Sequence, residues 1–387
     1  MEEHVRRVLK KEETKAHYLG KNIQNEIISL LHKNIKLHII NEVKKAKYYS
    51  IILDCTSDVS KVEQMTFLVR YVSVDKSNPN EVTVKINESF LGFLPVERST
   101  GKELSNLIIE KLAKLALSLH DMRGQAYDNG ANMKGDKSGV QSRIRVLNPR
   151  AFYVPCSSHS LNLVVNDMAK ASLEAANFFN MVQKIYLFFS SSTFRWAILL
   201  KHVEGLTLKP LSDTRWESRI EALKPLRYQL GGIYDALLTI YDNAEIDNLI
   251  KVEASGLLNC LKQFKFLCSI IIWYKVLNCI NPISKLLQTQ DYDLPTAMEL
   301  LKNCTDFFKN LRSDEAFDNI LCDAKELADE IDITDSFEIT QPRHRIRRKN
   351  INFDYEAQDN PIEDPKLKFK IEFYFFTIDQ AWNPDSV

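Results

Sequence analysis

Apolar residues first recur at helical spacing in Ile23, Ile27, Ile28, Leu30, Leu31, Ile35, Ile39 and Val43, which predicts an amphipathic helix. It leads into Tyr48-Tyr49-Ser50-Ile51-Ile52-Leu53, an aromatic and β-branched run as long as a short buried strand, which ends on Asp54 and is followed by Cys55, Thr56 and Ser57. Gln64 to Val74 and Val82 to Val96 read as two more strands, separated by the turn-forming Asp75-Lys76-Ser77-Asn78-Pro79-Asn80. Three strands with short connections make an antiparallel meander. Ser99-Thr100-Gly101 then opens a helix reaching about Leu119, with Leu104, Leu107, Ile108, Leu112, Leu115 and Leu119 on one face. A fourth strand, Met122 to Asp128, again ends on a carboxylate and turns through Asn129-Gly130-Ala131-Asn132-Met133. A fifth, Ala151 to Pro155, runs into Cys156-Ser157-Ser158-His159 and a helix from Ser160 to Lys170.

Beyond residue 172 the pattern is helical throughout: Leu173 to Ser190, Phe194 to Val203, Asp213 to Asp242, Ile246 to Leu287, Pro295 to Leu311 and Asp314 to Ile331. Thr334 to Pro361, which contains Arg343-His344-Arg345-Ile346-Arg347-Arg348-Lys349, reads as a basic linker, and Leu367 to Ala381 as a last amphipathic segment. The early order (three strands, helix, strand, helix, strand, helix, with acids ending the first and fourth strands) resembles the ribonuclease H-like layout. In that layout the two acids are neighbours.

With 45% hydrophobic and 26% charged residues in 387, the composition is globular and excludes a disordered chain. Lys plus Arg equals Asp plus Glu at 51 each, so no global basic excess announces nucleic acid, and any such surface is local. Met1 to Tyr48 holds eleven Lys/Arg against six Glu, whereas Asp291 to Glu338 holds fourteen acids against four bases. Seven cysteines without a C-x-x-C pair fit a reducing compartment. The start lacks a signal-peptide core, and the longest apolar run, Phe266 to Tyr274, is too short to cross a bilayer. The expectation is a soluble intracellular protein with no membrane partner and no small-molecule substrate.

A buried strand that ends on a carboxylate delivers an acid to the rim of a sheet, where metal-dependent phosphoryl-transfer enzymes keep their ligands. A turn-capping role for Asp54 is the plainer alternative. Four stretches in order, LDCTSD, RGQAYDNGANM, PCSSHSLNLVVND and LSDTRWESRIEAL, resemble the hAT superfamily of DNA transposases, in particular the transposon-derived group that includes zinc-finger MYM-type-like proteins and carries the DUF4371 domain.

The resemblance implies an α/β fold: a ribonuclease H-like core with a mixed five-stranded sheet, interrupted by a large all-α insertion. The chain then divides into a helical lead-in (1–48), the core (49–172), the insertion (173–332), the basic linker (333–361) and the start of a C-terminal region (362–387). It also implies DDE-type chemistry, in which three carboxylates hold two divalent ions, Mg²⁺ or Mn²⁺, for cleavage and transfer of DNA strands. Asp54 and Asp128 match the first two acids, both catalytic and metal-binding. Cys156 and His159 match a C-x-x-H motif near the active site, where DNA contact competes with a buried Cys and a helix-capping His. Two ligands are too few for structural zinc. Arg215 and Trp216 match an R-W motif whose indole stacks on an unpaired base; a core tryptophan beside an Arg–Glu pair is the alternative.

The third acid of the family sits in an S-x-E-R-like motif that this sequence lacks, and Glu372 and Asp379 do not match it. The N-terminal zinc finger and the dimerisation region are also missing from it. The expectation is a truncated, transposase-derived protein without catalysis that keeps nucleic-acid or protein binding. The alternatives are an active metal-dependent transposase or nuclease fragment, and a helical interaction scaffold with no DNA role. Nuclear residence is expected from the resemblance, and Arg343 to Lys349 reads as a localisation signal, a phosphate-contacting patch or a solvated linker.

Overall fold

Alternate residues of the first strands are buried. In β1 (Tyr49–Ser57) these are Tyr49, Ile51 and Leu53, and in β2 (Glu63–Asn78) they are Met65, Phe67, Val69 and Tyr71. Side chains alternate across a strand, so one face of the sheet forms a core and the other carries Ser50, Ile52 and Asp54. The computed structural model describes residue 10 and residues 20–57, 60–78, 81–212, 217–289, 294–338 and 362–382. They fall into two units, residues 1–159 and 160–387, each with its own apolar core.

In the first unit the sheet order is β3-β2-β1-β4-β5. β1 pairs antiparallel with β2, β2 antiparallel with β3 (Glu81–Val96), β1 parallel with β4 (Met122–Tyr127), and β4 parallel with β5 (Phe152–Pro155). The meander is as the sequence pattern predicts, and the mixed five-stranded sheet is as the resemblance implies. β1 is longer than expected: it continues through Asp54 to Ser57, and Asp54 lies opposite Thr66 instead of ending the strand. The polar Cys55-Thr56-Ser57 reads as a turn but is held by pairing with Met65, Gln64 and Glu63. In β3, Gly92 adopts φ 125° at a bulge where the register jumps from Phe67↔Gly92 to Leu68↔Phe90, and the extra residue, Leu91, is 1% exposed.

Three helices cover the core face. α1 (Lys21–Ala46) contributes Ile40 and Val43, and stops where Lys47 takes φ 66° and donates its N–H to the Val43 carbonyl at 3.0 Å. The expected apolar stripe is present, but Ile28 and Ile35 toward its start are 62% and 60% exposed, so only the last turns are packed. α2 (Gly101–Lys114) starts on Thr100, whose hydroxyl oxygen accepts the Glu103 N–H at 3.3 Å and donates to the Glu103 carboxylate at 2.7 Å. It buries Leu104, Ile108 and Leu112. After a short α3 (Ala131–Lys134), α4 (Val140–Leu147) buries Val140 and Ile144 in the same core.

α5 (Ser157–Lys170) opens the helical part, followed by α6 (Leu173–Ser190), α7 (Thr193–His202), α8 (Ser218–Tyr228), α9 (Leu230–Asp242), α10 (Asn248–Leu261), α11 (Phe264–Leu286), α12 (Leu294–Leu311) and α13 (Asp314–Glu330). Two stretches expected as single helices are broken. Gln229 leaves helical geometry (φ −142°, ψ 32°) between α8 and α9, and Lys262-Gln263 separates α10 from α11. Apolar spacing continues across both breaks, so periodicity alone does not reveal them.

α11, at 23 residues, is long and apolar enough to cross a membrane, contrary to the reading from its longest apolar run. Its apolar window is 67% buried, with Trp273 and Ile270 fully enclosed, as in a core helix. The last described segment, α14 (Pro365–Phe369), a π-helical stretch (Lys370–Phe375) and α15 (Phe376–Asp379), sends Phe369, Phe373, Tyr374 and Ile378 into this same core. The basic run Arg343 to Lys349 lies outside the described residues.

Candidate functional site

Parallel pairing of β1 with β4 sets Ser50 beside Gly124, Ile51 beside Gln125 and Ile52 beside Ala126. Two further steps along each chain bring Asp54 and Asp128 to the same level on the same face, at the ends toward which both strands run. The Asp54 carboxyl is held above the usual carboxylate range. Loss of water beside the packed backbone is the main cause and the negative charge of Asp128 the second; His159 and the Cys55 N–H oppose them. The Asp54 side chain still reaches solvent.

Asp128 follows directly on β4, and its Oδ1 accepts the Gly130 N–H at 3.2 Å, the Asx turn that the Asp-Asn-Gly sequence favours. Its carbonyl accepts the Tyr153 hydroxyl at 3.0 Å, and the Tyr127 and Tyr153 rings lie 4.9 Å apart. Burial, then the charge of Asp128, pushes the Tyr153 phenol up to about 12, so it remains a donor. Behind the rim, the buried Gln125 amide donates to the carbonyls of Ala151 (3.0 Å) and Gln141 (3.3 Å) and accepts the Tyr127 hydroxyl (2.8 Å). This network fixes β4 against α4 and the start of β5.

Cys156 is exposed and donates its N–H to the Tyr127 carbonyl at 3.0 Å, and His159 is half-buried in the first turn of α5. Its charge is felt at Asp54, so the C-x-x-H turn borders the two acids. The Cys55 thiol is pushed up to about 12 by burial first and then by the charges of Glu63, Asp128 and Asp54, so it stays protonated. Arg215 and Trp216 lie outside the described residues. Among the described residues no three His, Cys, Asp or Glu side chains are grouped as metal ligands. Glu372 stands 3.8 Å from Lys368, and Asp379 pairs with Arg312. Tyr153 and Gly130, which hold the Asp128 segment, were not singled out from sequence; the Asp-Asn-Gly turn signal was the available clue to Gly130.

A divalent cation is the group such a pair suggests. Two adjoining carboxylates fit one such ion, with water and a phosphate oxygen completing its shell. They do not fit a pair of ions, for which the described residues supply too few acids.

A mixed five-stranded sheet in this order, with one acid on β1 and another directly after β4, makes an α/β domain. Residues 1–139 match the family described as the ZMYM1/FAM200 RNase-like domain, DUF4371. The chain is also 26% identical over 293 residues to the human "52 kDa repressor of the inhibitor of the protein kinase" and 25% identical over 291 residues to the mouse protein of that name. Each match covers 72% of this chain and 37% of the relative, so the chain spans well under half the length of these relatives.

Proposed function

We propose that the first unit is a ribonuclease H-like fold of hAT transposase descent that binds nucleic acid and does not cleave it. The supporting observation is the pair Asp54 and Asp128, level on parallel strands, with no third acid beside them among the described residues. Mg²⁺ or Mn²⁺ held by this pair would neutralise both carboxylates and attract a phosphate oxygen. The chain's own residues place the acids, through β1–β4 pairing and the Gly130 and Tyr153 hydrogen bonds. In this reading His159 and Cys156 border the bound strand. The name of the human and mouse relatives describes repressors, which favours a regulatory role in the nucleus.

The test pairs a plasmid-nicking assay in Mg²⁺ or Mn²⁺ with anisotropy of a labelled duplex. The expected result is nicking no greater than that of Asp128→Ala, with binding that weakens steeply as salt rises because phosphate contacts release counterions. Nicking that disappears in Asp128→Ala would establish an active nuclease instead. Absence of DNA binding at low salt would leave a protein-binding scaffold as the reading.

A further inference from the structure

The end of the sheet opposite the two acids carries a cluster of cations. β1 and β4 begin there, five residues of strand or about 17 Å from Asp54. Tyr48, just before β1, is 48% exposed, and the guanidinium of Arg123 on β4 lies 4.0 Å from its ring centroid. Arg123 Nη1 also donates to the carbonyls of His120 (2.7 Å) and Met122 (3.1 Å), so this guanidinium is fixed in place. Lys47 stands 5.4 Å from the same ring, and its N–H donates to the Lys44 carbonyl at 3.3 Å. From the α4 side, the buried Asn148 amide donates to the carbonyls of Leu119 (2.7 Å) and Met122 (2.8 Å), and its oxygen accepts the Arg150 N–H at 3.1 Å. Lys44, Lys47, Arg123 and Arg150 are thereby gathered at one end of the first unit.

Among the described residues none of these four pairs with a carboxylate. Of the acids nearby, Glu42 is held by Lys45 at 2.7 Å, and Asp121 is close enough for its charge to reach the Tyr49 phenol. Lysines at a helix end, as Lys44 and Lys47 are in α1, are favoured by the helix dipole alone. Arg123 lies on a strand and has no such explanation; it also opens the RGQAYDNGANM stretch.

We infer that this end of the first unit is a phosphate-binding surface for duplex DNA, anchored by Arg123. The Tyr48 ring and the two carbonyls hold the guanidinium, and its Nε and Nη2 edge presents the fork that matches two oxygens of one phosphate. Lys44, Lys47 and Arg150 add point charges for neighbouring phosphates. A fixed fork flanked by spaced charges suits the regular phosphates of a duplex better than mobile lipid headgroups. These contacts need no metal ion, which sets them apart from the Asp54 and Asp128 rim. The inference rests on the reading that the first unit binds nucleic acid, and it gives that reading a second surface.

The full chain is titrated against a short labelled DNA duplex over a range of salt, in EDTA and again in Mg²⁺. The expected result is binding that persists in EDTA. Joint replacement Lys44→Gln, Lys47→Gln and Arg150→Gln should weaken it about tenfold or more near 0.1 M salt and lower the slope of log K against log salt by about 2 to 3. Arg123→Lys keeps the charge and loses the fork, so it should weaken binding with the slope unchanged. Lys201→Gln, Lys209→Gln and Lys302→Gln together remove the same charge from exposed positions of the second unit and should change neither. Equal loss in that control, or undiminished binding in the first triple variant, would overturn the surface; binding that requires Mg²⁺ would do so while sparing the rim formed by the acids. No binding at low salt in either buffer would overturn both. Capture of anionic phosphatidylserine vesicles in place of DNA, lost in the first triple variant, would make this a lipid surface and overturn the inference.

Discussion

Replacing Asp54 by Asn should stabilise the first unit near neutral pH. Side chains level on neighbouring strands stand ~5 Å apart, where two negative charges repel by about 1 kcal/mol in water and about 3 kcal/mol at the effective dielectric of a partly buried pair. Asp54 reaches solvent, so the lower figure applies, and attraction from His159 offsets part of it. Asp54 is the better site for the test because Asp128 accepts the Gly130 N–H, and altering it would mix two effects. The sign with pH follows from the raised Asp54 carboxyl. A carboxyl that binds its proton more tightly folded than unfolded costs stability above its folded value, and that cost fades as pH falls through this value. The gain in Asp54→Asn should therefore be full at pH 7.5 and vanish in acid. All four tryptophans (Trp196, Trp216, Trp273 and Trp382) lie beyond residue 159, so fluorescence does not report on this unit. Hydrogen exchange of peptides spanning β1 and β4 does, and about 1 kcal/mol corresponds to roughly fivefold slower exchange. Mn²⁺ should slow exchange in the wild type and not in the variant. Exchange that is unchanged or faster in Asp54→Asn at pH 7.5 would refute the repulsion, and with it the case for a cation at this rim.

Gln125→Leu strands the Ala151 and Gln141 carbonyls and the Tyr127 hydroxyl, and should cost at least ~2 kcal/mol, read as faster exchange in β4 and β5. Gly101→Ala would drive a Cβ into the Ser138 carbonyl and to 2.9 Å from that of Asn132, at a cost of about 1–3 kcal/mol in the same assay.

Much of the fold was legible because the elements of the first unit are locally consistent. β-branched alternation marked β2 and β3 to within a few residues, Thr100 marked the start of α2, and the Asp-Asn-Gly turn marked the end of β4. Where the reading failed, tertiary pairing overrode local preference. Cys55, Thr56 and Ser57 have the composition of a turn, yet β2 continues opposite them and holds them extended. The breaks at Gln229 and Lys262 were invisible because buried apolar residues continue on both sides of each junction, so the apolar rhythm hardly changes. The burial of α11 was hidden for a related reason, since a helix enclosed on all sides and a membrane span have similar sequences.

The proximity of Asp54 and Asp128 is a different kind of inference, because 73 residues of chain separate them and no local pattern joins them. It depends on where the crossover from β3 through α2 returns. Had β4 added beside β3, the second acid would stand at the far edge of the sheet, two strands away from β1. The meander occupies only one side of β1, so a parallel β4 can pair on its open side, and α2 is then laid over the core face by the crossover. The order β3-β2-β1-β4-β5 is that solution, and it makes β1 the central strand, with its Asp54 beside the Asp128 that follows β4. Adjacency of the acids is thus a consequence of topology, and the part that the charge of Asp128 plays, after burial, in raising the Asp54 carboxyl is its electrostatic trace. A third ligand has no comparable route from β-strand order alone, which is why the strand pattern speaks for two carboxylates.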